Sequence, residues 1–194
     1  MKSLKLIAPA ALLTLCALWL LLCPRAHSQS TVTTPAPSDA QASFSTVKSL
    51  AGEWEGPVST DPPMQGMSDN GPVHISLRIT SRGNAVVHEM QTSGTPLDPA
   101  KYDHPVTMFY LDGDRLTLVH YCDAGNRPRM VARKSPGSQT VEFDFADLSG
   151  DNQNGHMHHV VLTAIDADHH TEEWTFLMPG DKLMRGHMDL QRIK

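Results

Sequence analysis

Val73, Ile75, Leu77 and Ile79 alternate with His74, Ser76, Arg78 and Thr80. This period of two predicts a strand with one buried face. Gly83-Asn84 follows as a two-residue hairpin turn into Ala85 to Gln91, and pairing Arg82 with Ala85 places Val86, His88 and Met90 on the face of Leu77 and Ile79. His88 is therefore expected to point inward and His74 outward. A second hairpin spans Val106 to Cys122 around Asp112-Gly113, with Leu111 opposite Asp114. One of its faces carries Thr107, Phe109, Leu116, Leu118, His120 and Cys122, the other Val106, Met108, Tyr110, Val119 and Tyr121. The leucine-bearing face is taken as interior, so His120 and Cys122 look inward together.

Further strands are expected at Arg129 to Lys134, Gln139 to Ala146, His156 to Ile165, Glu172 to Met178 and Leu183 to Ile193. Helical spacing is confined to Phe44, Val47, Lys48 and Leu50, a short turn behind Ser43 that ends at Gly52. About ten strands at roughly ten-residue intervals predict an all-β fold, an antiparallel barrel of eight to ten strands with a short N-terminal helical turn. The connections Ser59 to Pro72 and Thr92 to Pro105, with Met64, Met67, Leu97 and Tyr102, are expected to be mobile loops, with a lid over a barrel mouth as the alternative.

Ahead of this pattern, Lys2 and Lys5 precede an apolar run from Leu6 to Cys23, and Ala26-His27-Ser28 supplies small residues for signal peptidase. Residues 1–28 read as a signal peptide, residues 29–43 as a Ser/Thr/Pro/Ala-rich disordered linker, and residues 44–194 as the barrel domain. The expected destination is the periplasm or the exterior, with no stable membrane insertion once the signal is cleaved. An uncleaved anchor is the alternative. Of the 16 Lys and Arg, cleavage removes Lys2, Lys5 and Arg25, leaving 13 against 21 acidic residues, a formal −8. Such a surface argues against a nucleic-acid partner. Cys122 alone survives cleavage, so the core must be stabilised without an internal disulfide.

Leu50-Ala51-Gly52-Glu53-Trp54-Glu55-Gly56, a helical turn running into a strand with Gly-x-Trp-x-Gly, resembles the opening of lipocalin-like (calycin) barrels, including nitrobindin-type haem-binding barrels. The resemblance implies that Trp54 closes one barrel end and that Arg192, on the last strand, packs against it. The chain lacks the fuller glycine run and the C-terminal haem-ligand motif of the nitrobindin pattern. His120-Tyr121-Cys122, Asn126-Arg127-Pro128-Arg129-Met130, His156-Met157-His158 and Glu173-Trp174-Thr175 are also similar to a group of small exported bacterial proteins of unknown function.

Candidate chemistry centres on histidines that share a face with aliphatic residues, because a buried imidazole needs a partner, a metal or a ligand. His156 and His158, two residues apart on a strand, are about 7 Å apart and suit a pair of metal ligands, with His120 as the third. His88 and Cys122 are further candidates. The expected binding set is His88, His120, Cys122, His156, His158 and Trp174, and the expected metal set His120, His156 and His158, with zinc or copper ahead of haem. A simpler alternative makes His156 and His158 a solvated strand end and leaves His120 hydrogen-bonded in the core. Asp166, Asp168, His169 and His170 are expected in a solvated turn. An odd-numbered turn there would align His156 and His158 with Trp174 and Phe176; an even one would align His159. The odd turn is favoured because it sends Val160, Leu162 and Ala164 into the core. The leading function is an exported barrel binding a small molecule or a metal. Alternatives are a hydrolase or isomerase using His120 and Cys122 or a bound metal, and a purely structural envelope protein with a filled barrel.

Overall fold

The computed structural model describes residues 36–63, 71–133 and 139–193. The expected signal peptide, linker residues 29–35, and Met64 and Met67 lie outside the described residues.

Ser38 opens α1 (Asp39–Ser49) with a capping box: its Oγ accepts from the Gln41 amide at 3.3 Å and its amide donates to Gln41 Oε1 at 3.0 Å. The helix thus starts at Asp39, and residues 39–43, expected to belong to the linker, are helical. Ser43, Phe44 and Val47 share its buried face, which packs against the strands Val106–Asp112, Arg115–Tyr121 and Thr140–Ser149 and closes one end of the barrel.

The strands among the described residues are β1 (Gly52–Gly56), β2 (Val58–Asp61), β3 (Val73–Thr80), β4 (Ala85–Thr92), β5 (Val106–Asp112), β6 (Arg115–Tyr121), β7 (Arg127–Ala132), β8 (Thr140–Ser149), β9 (His156–Ala164), β10 (His169–Met178) and β11 (Lys182–Ile193). β3 to β11 pair in sequence order, all antiparallel, and β1 joins β3 to β11. β1 and β2 lie along the same edge of β11, interrupted by Pro57, which has no amide to donate. Counted as one, they complete a closed ten-strand antiparallel barrel. Gly56 lets β11 approach: a Cβ there would lie 1.8 Å from the Asp189 carbonyl oxygen.

Both predicted hairpins form, with His88 and His120 inward as expected but with shifted turns, while Ile79, expected on the buried face, is exposed near the end of its strand. β3 and β4 are joined by four residues, Ser81 to Asn84, in which Ser81, Arg82 and Gly83 have positive φ; Thr80, not Arg82, pairs with Ala85. In the second hairpin Asp112 pairs with Arg115 around Gly113-Asp114. Each change moves the pairing by two residues, which conserves face but changes partners: Leu77 opposes His88 in place of Met90, and Thr107 opposes His120 in place of Leu118. The interior is filled by Trp54, Ile75, Leu77, Val86, Phe109, Leu116, Leu118, Met130, Phe143, Val160, Leu162 and Leu190, all buried.

Candidate functional site

Four successive strands contribute one cross-strand row, Leu77, His88, Thr107 and His120, each the register partner of the next. Alternation directs all four inward. From the opposite wall, β10 directs His170, Glu172 and Trp174 into the same interior. Glu172, fully buried, is the centre: its Oε2 accepts from His88 Nε2 at 3.0 Å and Trp174 Nε1 at 2.7 Å, and its Oε1 from His170 Nε2 at 3.0 Å. His170 meets Trp54 edge-on with ring centroids 4.2 Å apart. The Trp174 ring lies between His88 and His120, at 5.3 and 5.4 Å.

Burial would raise the Glu172 carboxyl, but the adjacent charge on His88 and the hydrogen bonds from His170 and His88 outweigh it and hold the group well below the usual carboxylate range. His120 behaves oppositely. Burial, with the charge of His88 adding to it, drives its pKa down to about 3, so its imidazole is neutral at physiological pH. Its Nδ1 lies 2.8 Å from Thr107 Oγ1. His88 Nδ1, His120 Nε2 and His170 Nδ1 are buried with no partner among the described residues.

Above this network, at the end away from α1, opens a cleft of about 280 Å³ lined by Val58, Val73, Met90, Thr92, Tyr102 and Met188 among others. Met90 is the next inward position after His88 on β4, and Met188 is the register partner of Glu172. The Thr92 to Pro105 connection contributes Thr95, Lys101 and Asp103 to the rim. A larger groove of about 590 Å³ runs beside α1, but none of the buried histidines lines it.

The remaining expected residues are distributed differently. The strand ends at Tyr121, and Cys122 enters a turn closed by the Gly125 amide on its carbonyl at 3.2 Å. Burial pushes the Cys122 thiol up, and the carboxylates of Asp103 and Asp123 add to this, the reverse of what a thiolate nucleophile requires. Val160, Leu162 and Ala164 pair with Trp174, Glu172 and His170, as the odd turn requires. A bulge then breaks the phase: Thr175 pairs with His159 but Phe176 with Met157, leaving His158 as the extra residue. His156 and His158 consequently meet each other and Phe145, while the contacts of His120 are with Thr107 and Trp174. Among the described residues no group of three or more His, Cys, Asp or Glu is arranged to hold a metal, so the expected triad is not assembled.

His170 and Glu172 were missed. β10 begins at His169, so Asp166 and Asp168 lie in the exposed turn as expected, whereas His169 and His170 are on the strand and His170 is buried. The available signal was the phase of His170, Glu172 and Trp174; polar residues on that phase read as solvent-facing. The Trp54 and Arg192 contact implied by the resemblance is present, with the guanidinium carbon 4.0 Å from the ring centroid. A haem does not fit the interior, because the His88–Glu172 bridge, Trp54, Trp174 and Phe109 already occupy it.

The fold and interior define a closed, ten-strand antiparallel β-barrel with a buried His–Glu–Trp network. Among solved structures the chain is similar to Rv2717c from M. tuberculosis, at 12% identity and a TM-score of 0.53, covering 83% of this chain and 100% of that one. It is also similar to a protein of unknown function of the DUF3598 family from Nostoc punctiforme PCC 73102, at 11% identity and a TM-score of 0.40, covering 76% of this chain and 48% of that one. At such identity the first likeness shows the fold alone. No family model matches the chain, and no curated protein matches it.

Proposed function

We propose that the protein is an exported binding module that takes a small, largely apolar molecule through the mouth lined by Met90, Tyr102 and Met188. The observation that carries this reading is the set of partnerless buried nitrogens, His88 Nδ1, His120 Nε2 and His170 Nδ1, beneath that mouth. Each unpaired buried polar atom costs about 1–3 kcal/mol, which a barrel serving only as a structural element would avoid with apolar side chains. A ligand with an apolar body and one hydrogen-bonding group matches an apolar rim over imidazoles, the usual composition of a small-molecule pocket. The flexible methionines between rim and network can repack around it. The basic, apolar and small-residue order of residues 1–28 supports export.

The test combines native mass spectrometry of protein from its own host with titration of the purified protein by the apolar fluorophore 8-anilinonaphthalene-1-sulfonate. A retained small molecule, or saturable single-site binding that is lost in Met90→Trp, is expected. No retained molecule together with no saturable binding would assign the barrel a purely structural role.

A further inference from the structure

The bulge in β9 creates a second arrangement at the open end, apart from the Glu172 network. On a regular strand the side chains of residues two apart are about 7 Å apart. Here the bulge brings His156 Nε2 and His158 Nδ1 to 3.3 Å. Two nitrogens bound to one metal by bonds of about 2.0–2.1 Å at a near-tetrahedral angle are separated by roughly 3.3 Å. The pair therefore already has the spacing of adjacent ligands on one ion.

The surroundings fix the rings for that use. His156 Nδ1 lies 2.8 Å from Asn152 Oδ1; an N–H donated there leaves the Nε2 lone pair directed at His158. A carbonyl accepting from the far nitrogen is the usual support of a metal-ligating imidazole. Phe145 packs on both rings, with centroids 4.4 Å from His156 and 5.4 Å from His158. His156 is buried, whereas His158 is partly exposed and gives an ion access from solvent.

We propose that His156 Nε2 and His158 Nδ1 chelate one divalent transition-metal ion of the zinc or copper class, its other coordination positions being filled by water or by a ligand from solution. This set excludes His120 and replaces the triad expected from sequence. Imidazole pairs suit both metals, and an incompletely protein-coordinated ion remains open to exogenous ligands. In the hydrogen-bonded pair the shared proton belongs to His158 Nδ1, so binding requires His158 to take the neutral tautomer that carries its proton on Nε2.

The test is titration of the purified full chain with copper(II) and, separately, zinc(II), followed by calorimetry and, for copper, by paramagnetic resonance. One equivalent should bind, with two nitrogens in the copper spectrum. His158→Gln and His156→Ala should each abolish this site, Asn152→Ala should weaken it roughly tenfold, and His74→Ala should leave it unchanged. If His156→Ala fails to fold, His158→Gln decides, because that ring is partly exposed. Absence of a stoichiometric site, its persistence in His158→Gln, or an equal loss in His74→Ala would overturn the proposal. None of these results bears on fluorophore binding at the mouth, so the two readings fail separately.

Discussion

Glu172 on β10 and His88 on β4 meet across the barrel at 3.0 Å, 84 residues apart in sequence and both buried. A carboxylate in that position needs its cationic and hydrogen-bonding partners, and an imidazole that donates to it needs the carboxylate.

Glu172→Gln should destabilise the fold by about 3–5 kcal/mol, because it removes the anion and leaves His88 and His170 buried without it. The difference from wild type depends on pH. The folded-state carboxyl is held below its ordinary value of 4.5, so its contribution is complete above that pH and is lost as pH falls below it. Urea unfolding of both proteins between pH 3 and 7 checks this; a difference that grows on acidification would contradict it.

His120 should remain neutral over the whole physiological range. Its imidazole proton signals are expected to stay constant from pH 8 to pH 4 and to move only as pH approaches about 3. The unfolded chain takes up this proton below the ordinary 6.5, so stability falls as pH drops from 6.5 toward 3. A midpoint near 6.5 in a histidine-resolved NMR titration would show that the side chain is not desolvated.

Arg192 stacks on Trp54 and donates from Nη1 to the Ala51 carbonyl at 2.9 Å and from Nε to the Ala167 carbonyl at 2.8 Å. Arg192→Ala should cost about 1–3 kcal/mol. Gly52 has φ of +150° and leaves no room: a Cβ there would lie 2.0 Å from Arg192 Nη1. Gly52→Ala should therefore displace the same guanidinium, and the two substitutions together should cost less than the sum of their separate effects in thermal unfolding.

Cys122→Ser should leave ligand binding intact, since the thiol sits in a turn beside Asp103 and Asp123 rather than at Trp174. Alkylation by iodoacetamide should be slow at pH 7 and accelerate only above pH 9, given a thiol raised above its ordinary 9.0. Rapid alkylation at neutral pH would restore the nucleophile alternative.

The alternation of Val73 to Ile79 and of Val106 to Cys122 determined the all-β barrel and the inward direction of His88 and His120. Side-chain parity survives a turn misplaced by two residues, which is why both hairpins were legible despite wrong turn positions. Three features were decided only by the tertiary structure. The bulge at His158 carries no turn residue or change in periodicity, so the His156 and His158 pair could be placed only by pairing β9 against β10. Cys122 shares the phase of His120, but the strand stops at Tyr121, and phase has no meaning beyond the last paired residue. His170 and Glu172 are polar, and hydropathy alone assigns them to solvent. Barrel closure brings His88 from the opposite wall to the carboxylate, and that long-range partner makes their burial tolerable.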